Sequence, residues 1–203
     1  MTEQLSTEKQ SVILDAARKR FAYYGFSKVT MDEIAADVGM GKASLYYYFP
    51  TKESLFEEVV KQEKNQFFND IKAMTEGKTA PCEMLRRYAA KRIEHFRNLA
   101  NLRALGFQQH GEMKSWSVGL YEDFQKQEVQ ALMRILQIGK RNGDFVISNP
   151  QQSAEIIMQM LYGPRSWYLH KLQRSLDDET YKLLEQATKE IVEIILNGIR
   201  KRK

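Results

Sequence analysis

The stretch TMDEIAADVG over residues 30–39, followed by KASLYYYFPTKESL over residues 42–55, decides the fold of this chain. Its opening Thr-x-x-Glu is spaced as a capping box, in which two side chains satisfy the free N–H groups at a helix start. Gly39 ends that first helix and permits the positive φ of a tight turn. A second short helix ends before Pro50, because proline disfavours helical geometry in the residue before it. Two short helices across a tight turn predict a helix-turn-helix.

Helical periodicity continues on both sides of this motif. Apolar side chains recur at helical spacing over residues 13–24, up to Gly25, and a long helix over residues 51–75 begins at a threonine, a residue type that caps helix starts. Further helical patterns are predicted at 82–98, 100–110, 115–141, 151–171 and 178–201. The one alternating stretch, residues 145–147, is too short to found a sheet. With 4 Pro and 11 Gly among 203 residues, the composition favours helix, and we predict an all-α fold.

The leading residues of the second motif helix are suited to contact DNA. In a helix-turn-helix this helix lies in the major groove, with its N-terminal residues toward the base edges. Lys42 can donate there to guanine or to phosphate, and Ala43 is small enough for close approach. The hydroxyls of Ser44, Tyr46 and Tyr47 suit phosphate oxygens, which take about half or more of the contacts in such complexes. The free N–H groups at the neighbouring helix starts also attract phosphate.

Taken together, T-x3-I-A-x3-G over residues 30–39 and L-Y-x-Y-F-x-x-K-x-x-L over residues 45–55 resemble the DNA-binding domain of the TetR family of transcriptional regulators. The resemblance covers about residues 7–60. It implies about nine helices: an N-terminal three-helix helix-turn-helix domain and a larger C-terminal helical domain for ligand binding and dimerisation. Tyr48 departs from it, because many relatives have histidine there. Carried over position by position, the implied DNA contacts are Thr30, Lys42, Ala43, Ser44, Tyr46, Tyr47 and Lys52.

Bulk charge does not locate the DNA-binding half. The net charge is +5, yet residues 1–63 carry 8 Lys and Arg against 10 Asp and Glu, and the remainder carries 23 against 16. The placement of individual cations is therefore more informative than the total.

Other features exclude several kinds of site. Cys82 is the only cysteine, which rules out an intramolecular disulfide and a metal site built from paired cysteines. The three histidines are scattered, so we expect no metal and no cofactor. The polar opening residues and the lack of an apolar run of about 18 residues predict a cytoplasmic protein without a membrane span.

The C-terminal two thirds predict a pocket and a dimer interface. Its middle helices carry large side chains with polar tips, which suit a hydrophobic ligand but equally describe an ordinary helical core. The candidate pocket residues are Phe67, Tyr88, Phe96, Phe107, His110, Trp116, Tyr121, Phe124, Met158 and Tyr162. The last two helices are apolar on more than one face, which implies burial on a second side, in a homodimer or in a thick monomer core. The candidate dimer residues are Ile157, Leu161, Leu184, Ile191 and Ile195.

These observations combine into one hypothesis with two alternatives. Residues 1–52 form a helix-turn-helix domain, linked by the helix over residues 51–75 to a ligand-binding and dimerisation domain over residues 53–203. The chain is then no enzyme but a homodimeric repressor, which binds double-stranded operator DNA and is released by a small, hydrophobic effector. One alternative is a small helical enzyme or carrier of a hydrophobic ligand, without DNA binding. Another is a DNA-binding protein that responds to a partner protein.

Overall fold

A computed structural model of the chain describes residues 2–76, 78–99, 101, 115–168 and 177–201. Within these residues the regular structure is helical, and the only extended pairing is a single bridge between Phe145 and Arg200. This confirms the predicted all-α fold. The predicted helix over 100–110 lies outside the described residues apart from residue 101. The eight described helices are α1 (Thr2–Tyr24), α2 (Met31–Asp37), α3 (Lys42–Tyr48), α4 (Lys52–Thr75), α5 (Pro81–Asn98), α6 (Ser115–Asn142), α7 (Pro150–Ser166) and α8 (Asp178–Ile199).

Local signals in the sequence set the helix ends. Gly25 follows α1 with φ +80° and Gly39 follows α2 with φ +65°, a backbone region that disfavours residues with a Cβ. Asn149 caps α7 by accepting from the N–H groups of Gln151 and Gln152. Asp177 caps α8 through the N–H of Thr180.

Across the described helices, none combines the length and the apolar character that crossing a membrane requires.

The chain divides into two compact units, and α4 and α6 contribute residues to both. The first unit contains the described residues up to Gln66 and those between Leu99 and Tyr121. Three aromatic rings, those of Phe21, Phe26 and Phe56, pack against each other with centroids 5.0–5.8 Å apart. Around them the fully buried apolar residues include Ile13, Ala17, Ile34, Leu45 and Leu55. This core joins α1 to α4 into the scaffold that carries the predicted helix-turn-helix.

The second unit contains Phe67–Asn98 and the described residues from Glu122 onward. Helix α8 packs against both α5 and α7. The fully buried apolar residues of this unit include Leu85, Leu132, Ile135, Leu136 and Ala154. The expected division at residues 52 and 53 stays a prediction, because these units describe packing and not independent folding.

The turn after α6 is held against the end of α8 by two backbone hydrogen bonds. The N–H of Val146 donates to the Ile199 carbonyl at 2.7 Å, and the N–H of Lys201 donates to the Asp144 carbonyl at 2.9 Å. Phe145 is thereby buried, and its ring lies against Gly139 of α6. A Cβ on Gly139 would come within 2.1 Å of that ring.

We expect Gly139→Ala to destabilise the protein by about 1–3 kcal/mol, because the added methyl overpacks a filled site and displaces the Phe145 ring. Gly119→Ala in the same helix is the matched control: its Cβ meets nothing within 4 Å, so the higher helix propensity of alanine should stabilise by up to about 1 kcal/mol. Urea unfolding monitored by circular dichroism measures both variants. Equal effects of the two substitutions would contradict this account of the turn.

Candidate functional site

Helix α3 presents its polar side chains to solvent. Leu45 is completely buried, and Phe49, directly after the helix, is also buried, so the opposite side of α3 faces outward. Tyr47 is 82% exposed. The exposed α3 side chains are Lys42, Ala43, Ser44, Tyr46 and Tyr47, which are the five DNA contacts predicted on this helix. The structure therefore brings these five residues together on one accessible surface.

Thr30 and Glu33 form the predicted capping box at the start of α2. The N–H of Glu33 donates to Thr30 Oγ1 at 3.3 Å, and both the N–H and the hydroxyl of Thr30 donate to Glu33 Oε2 at 2.8 Å. These bonds, that of the Thr30 backbone first, lower the pKa of Glu33. The Thr30 hydroxyl proton is thus directed to Glu33, and the side chain fixes where α2 begins. Its contact with DNA stays a prediction.

Arg20 connects α1 to both ends of α2. Its Nη2 donates to Asp37 Oδ1 at 2.8 Å, its Nε donates to Asp37 Oδ2, and its Nη1 lies 3.4 Å from Glu33 Oε1. The hydrogen bonds with Arg20 lower the pKa of Asp37, and those with Asp37 raise the pKa of Arg20. The sequence analysis missed this arginine, because Arg20 and Asp37 are 17 positions apart and no local sequence pattern predicts a contact between them.

Lys42, the first residue of α3, is paired with an acid of α2. Its Nζ lies 2.9 Å from Oδ1 and 3.0 Å from Oδ2 of Asp32. Both side chains are about 60% exposed, at 61% and 60%. The hydrogen bond to Asp32 raises the pKa of Lys42, so the ammonium stays charged. The predicted DNA-facing cation is therefore engaged with a neighbouring carboxylate.

Lys52 points inward rather than toward solvent. Its Nζ donates to the carbonyls of Phe26 and Val29, each at 2.9 Å, and lies 4.5 Å from the centre of the Phe26 ring. These bonds satisfy carbonyls of the segment between α1 and α2. The start of α4 is capped next to it, as predicted, by Thr51, whose hydroxyl accepts from the Ser54 N–H at 3.0 Å. The Lys52 ammonium thus connects the start of α4 to the segment between α1 and α2, and its contact with DNA stays a prediction.

A buried asparagine connects three parts of the same unit. The Asn101 amide donates to the Arg18 carbonyl of α1 at 3.1 Å and to Glu63 Oε1 of α4 at 2.8 Å. Both Asn101 and Glu63 are buried. Asn101 thus connects α1 and α4 through buried polar contacts.

The second unit contains a buried polar network that the sequence analysis missed. Glu128 of α6 is completely buried and accepts from Arg92 Nε at 2.7 Å and from the Tyr162 hydroxyl at 2.6 Å. The Tyr88 hydroxyl lies 3.5 Å from the same carboxylate and 3.2 Å from the Met158 sulfur. Burial is the largest single influence on the pKa of Arg92 and would lower it, but the Glu128 carboxylate together with Tyr162 and Tyr88 outweighs burial and raises that pKa. The Arg92 guanidinium therefore stays charged beside Glu128.

A cleft of about 540 Å³ opens between α6 and α7 beside this network. Two predicted pocket residues, Met158 and Tyr162, line it. Its other walls combine apolar, amide and charged side chains, which are Val129, Met133, Gln125, Gln130, Gln151, Gln159, Glu122, Lys126 and Glu155. Within the described ranges, no three His, Cys, Asp or Glu side chains gather where they could hold a metal ion.

Comparisons with known proteins agree with this geometry. Residues 13–59 match the family model described as "Bacterial regulatory proteins, tetR family". The HTH-type transcriptional regulator YhgD of Bacillus subtilis is 28% identical over 183 residues, 87% of this chain and 92% of that protein. The crystal structure of a transcriptional regulator from Cytophaga hutchinsonii is 36% identical, with a TM-score of 0.82, and the match covers 95% of this chain and 99% of that one. The chain belongs to the TetR family of transcriptional regulators.

A third comparison extends the fold match to a ligand complex. A regulator from Saccharomonospora viridis, solved in complex with choline, has a TM-score of 0.75 at 17% identity, covering 97% of this chain and all of that one. At this identity the likeness concerns the TetR-family fold alone. As a TetR-family member, this chain is a DNA-binding regulator with a helix-turn-helix.

The remaining predicted pocket residues that the structure describes do not gather around the cleft. Phe67 is buried and packs against Phe68, Phe124 and His95, with ring centroids 5.0–5.6 Å apart. Tyr88 is completely buried in the Glu128 network, and Tyr121 is buried in the other unit. Phe96 packs against Ile93, Tyr181 and Leu184. Phe107, His110 and the side chain of Trp116 lie outside the described residues.

The predicted dimer residues of the last two helices are mostly core residues of the protomer. Ile157, Leu161, Leu184 and Ile195 are buried within the chain itself, and Ile191 is half-buried. A side chain already covered by its own chain has little surface left for a partner, which corrects the expected interface list. The exposed apolar residues of this region are Ile156 and Met160 on α7, Trp167 directly after it, and Ile194 on α8. The apolar periodicity identified the two helices with apolar residues on more than one face. It could not tell which of those faces packs inside the protomer.

Proposed function

We propose that this TetR-family chain is a homodimeric transcriptional repressor, located in the cytoplasm, that binds operator DNA through α3 and is released by a small, hydrophobic effector. The observation that carries the proposal is the exposed polar surface of α3 above a fully buried Leu45. A surface of this composition suits phosphate oxygens and base edges, and the buried face keeps its orientation fixed.

Exposed apolar residues on α7 and α8 support the dimer. Ile156 and Met160 lie four positions apart on α7, and Trp167, directly after that helix, follows seven positions later, a spacing that places all three on one side. Ile194 on α8 is 63% exposed. Exposing such apolar surface to water is unfavourable. A two-fold axis through it would bury the same surface on both protomers against each other. Two α3 helices would then read half-sites about 34–36 Å apart.

The cleft between α6 and α7 supports effector binding. Its volume of about 540 Å³ lies within the range of about 300–1,000 Å³ that is typical of small-molecule sites. Val129, Met133 and Met158 offer apolar contacts, and four glutamine amides and three charged side chains offer polar ones. Tyr162 connects the cleft wall to the Glu128 network, so an occupant would contact a side chain held by the buried ion pair. A related fold binding choline is compatible with such a use.

Selection of duplexes from a random DNA pool tests the central proposal. We expect the wild-type protein to enrich a sequence with two inverted half-sites whose centres are about 10–10.5 base pairs, or a multiple of that, apart. The affinity for the selected duplex should fall steeply with salt, since phosphate neutralisation releases counterions. A pool that shows no enrichment at low salt would refute DNA reading by α3.

Tyr47→Ala should reduce affinity for the selected duplex by about tenfold or more, because a hydrogen bond to a charged phosphate contributes about 1.5–3 kcal/mol. Tyr23→Ala is the matched control: Tyr23 is 81% exposed against 82% for Tyr47, and each ring packs edge-on against the next tyrosine. Tyr23 lies on α1, away from the predicted contacts, so its removal should leave affinity nearly unchanged. Fluorescence anisotropy measures both. Equal losses would remove Tyr47 from the interface.

Ile194→Glu should convert the homodimer into monomers, because it places a charge in the proposed apolar interface of each copy. Val146→Glu is the control, since Val146 is an equally accessible apolar residue, 69% exposed, outside α7 and α8. Sedimentation velocity at micromolar concentration distinguishes the two states. An Ile194→Glu protein that still sediments as a dimer would place the interface elsewhere.

A thermal-shift screen of small hydrophobic molecules tests the effector. A hit at about 100 times its Kd should raise Tm by roughly 5–10 °C in a chain of this size and should weaken DNA binding. Gln130→Trp should reduce this shift by filling the cleft, whereas Gln137→Trp, an exposed glutamine of the same helix outside the cleft, should not. Equal shifts in both variants would show that the effector binds another site.

A further inference from the structure

We propose that Asp32 and Lys42 act as one unit that reads a G·C base pair, which makes Asp32 a residue that determines operator specificity. This inference rests on the proposed function, because it assigns a role within the same DNA-facing surface. The juxtaposition that carries it is a carboxylate at the start of α2 engaged with the first side chain of α3.

The pair is held between two helices and stays accessible. Both carboxylate oxygens of Asp32 lie within 3.0 Å of Lys42 Nζ, although the residues are 10 positions apart. Each side chain is about 60% exposed, at 60% for Asp32 and 61% for Lys42, so the pair is open to a ligand as a unit. An ammonium has three N–H donors, and the carboxylate retains free lone pairs, so each partner can make a further hydrogen bond without separating.

A G·C pair has the complementary pattern in the major groove. Guanine offers the acceptors O6 and N7, and the cytosine paired with it offers the N4 amino donor. Lysine bonds the guanine acceptors, and an aspartate accepts from cytosine N4. An A·T pair also offers both kinds of group, but its N6 donor lies between the acceptors N7 and O4, whereas a G·C pair places two acceptors side by side with the donor at one end. A lysine that bonds both guanine acceptors, next to an aspartate that accepts from cytosine N4, therefore matches G·C, whereas a lysine alone would bind phosphate anywhere.

The carboxylate also changes binding to unrelated DNA. A lysine that neutralises a phosphate adds to the affinity for any sequence and to its salt dependence. Lys42 is already engaged by Asp32, and the acid repels phosphates that approach α3. Asp32 therefore weakens binding to DNA that offers no G·C pair at this position. An acid in the first turn also suits the helix dipole of α2, but that role requires no contact with Lys42.

Asp32→Asn tests the proposal by removing the charge while keeping the shape. We expect the pool selected by this variant to lose its fixed G·C pair at one position of each half-site. Affinity for random duplex should rise about fivefold per protomer, which is the interaction of two unit charges at about 4 Å in water. The negative slope of log K against log salt should steepen by about 0.9 per protomer, as one more phosphate is neutralised.

Two further variants separate this role from general charge and folding effects. Asp15→Asn makes the same change at an exposed aspartate paired with Arg18 and Lys19 on α1, and it should leave the selected sequence unchanged. Asp32→Glu keeps the negative charge, so this variant should retain the wild-type slope of log K against log salt. Circular dichroism and Tm of each variant confirm that it is folded.

The inference is overturned if Asp32→Asn selects the wild-type sequence with the wild-type salt slope, or if Asp15→Asn produces the same changes. Failure of the proposed function looks different, because wild-type protein would then select no sequence at all. In that case the function and this inference both fall, whereas failure of the inference alone leaves wild-type selection intact.

Discussion

A helix of seven residues cannot persist in water by itself, since nucleation is costly and isolated helices of fewer than about 12 residues are marginal. Helix α3 has this length, so its shape depends on what lies beneath it. Leu45 is completely buried and Phe49 follows it into the core. Because these two anchors face inward, the side chains between and before them face outward. The outward polar surface of α3, which we propose contacts DNA, is a consequence of that burial.

Helix α2 is also positioned by polar contacts, and it in turn contacts α3. It is equally short, and Arg20 of α1 contacts carboxylates at its beginning and at its end, Glu33 and Asp37. Exposed ion pairs contribute little individually, about 0–1 kcal/mol, but these restrict the position of α2 as well as stabilise it. Asp32 lies on this helix and engages Lys42. The side chain expected to read bases is therefore positioned by a chain of contacts that begins in α1.

The sequence predicted what depends on neighbours along the chain. The capping box, the glycine that ends α2 and the outward polar residues of α3 follow from local spacing, and the family pattern added their interpretation. Contacts between distant residues could not be predicted in this way. Lys52 was expected to contact DNA because it follows a helix start, but carbonyls more than 20 residues earlier bind its ammonium. The pairing of Arg92 with Glu128 spans 36 positions and leaves no local signature.

The same limit explains the dimer residues. Apolar periodicity predicted that α7 and α8 bury more than one face, but Ile157 and Ile156 differ by one position and lie on different sides. Only the packing of α8 against α5 and α7 decides which side of each helix is buried inside the protomer and which stays exposed.

The Arg92–Glu128 pair has a consequence for how this chain can change over generations. Replacing either residue alone would strand a charge away from water, which costs about 3–5 kcal/mol, a large part of the stability of an ordinary domain. Replacing both together by apolar residues of similar volume carries no such cost. Lineages that descend from this chain should therefore keep the two residues or lose them jointly, and Tyr88 and Tyr162, whose hydroxyls depend on the same carboxylate, should be inherited with them.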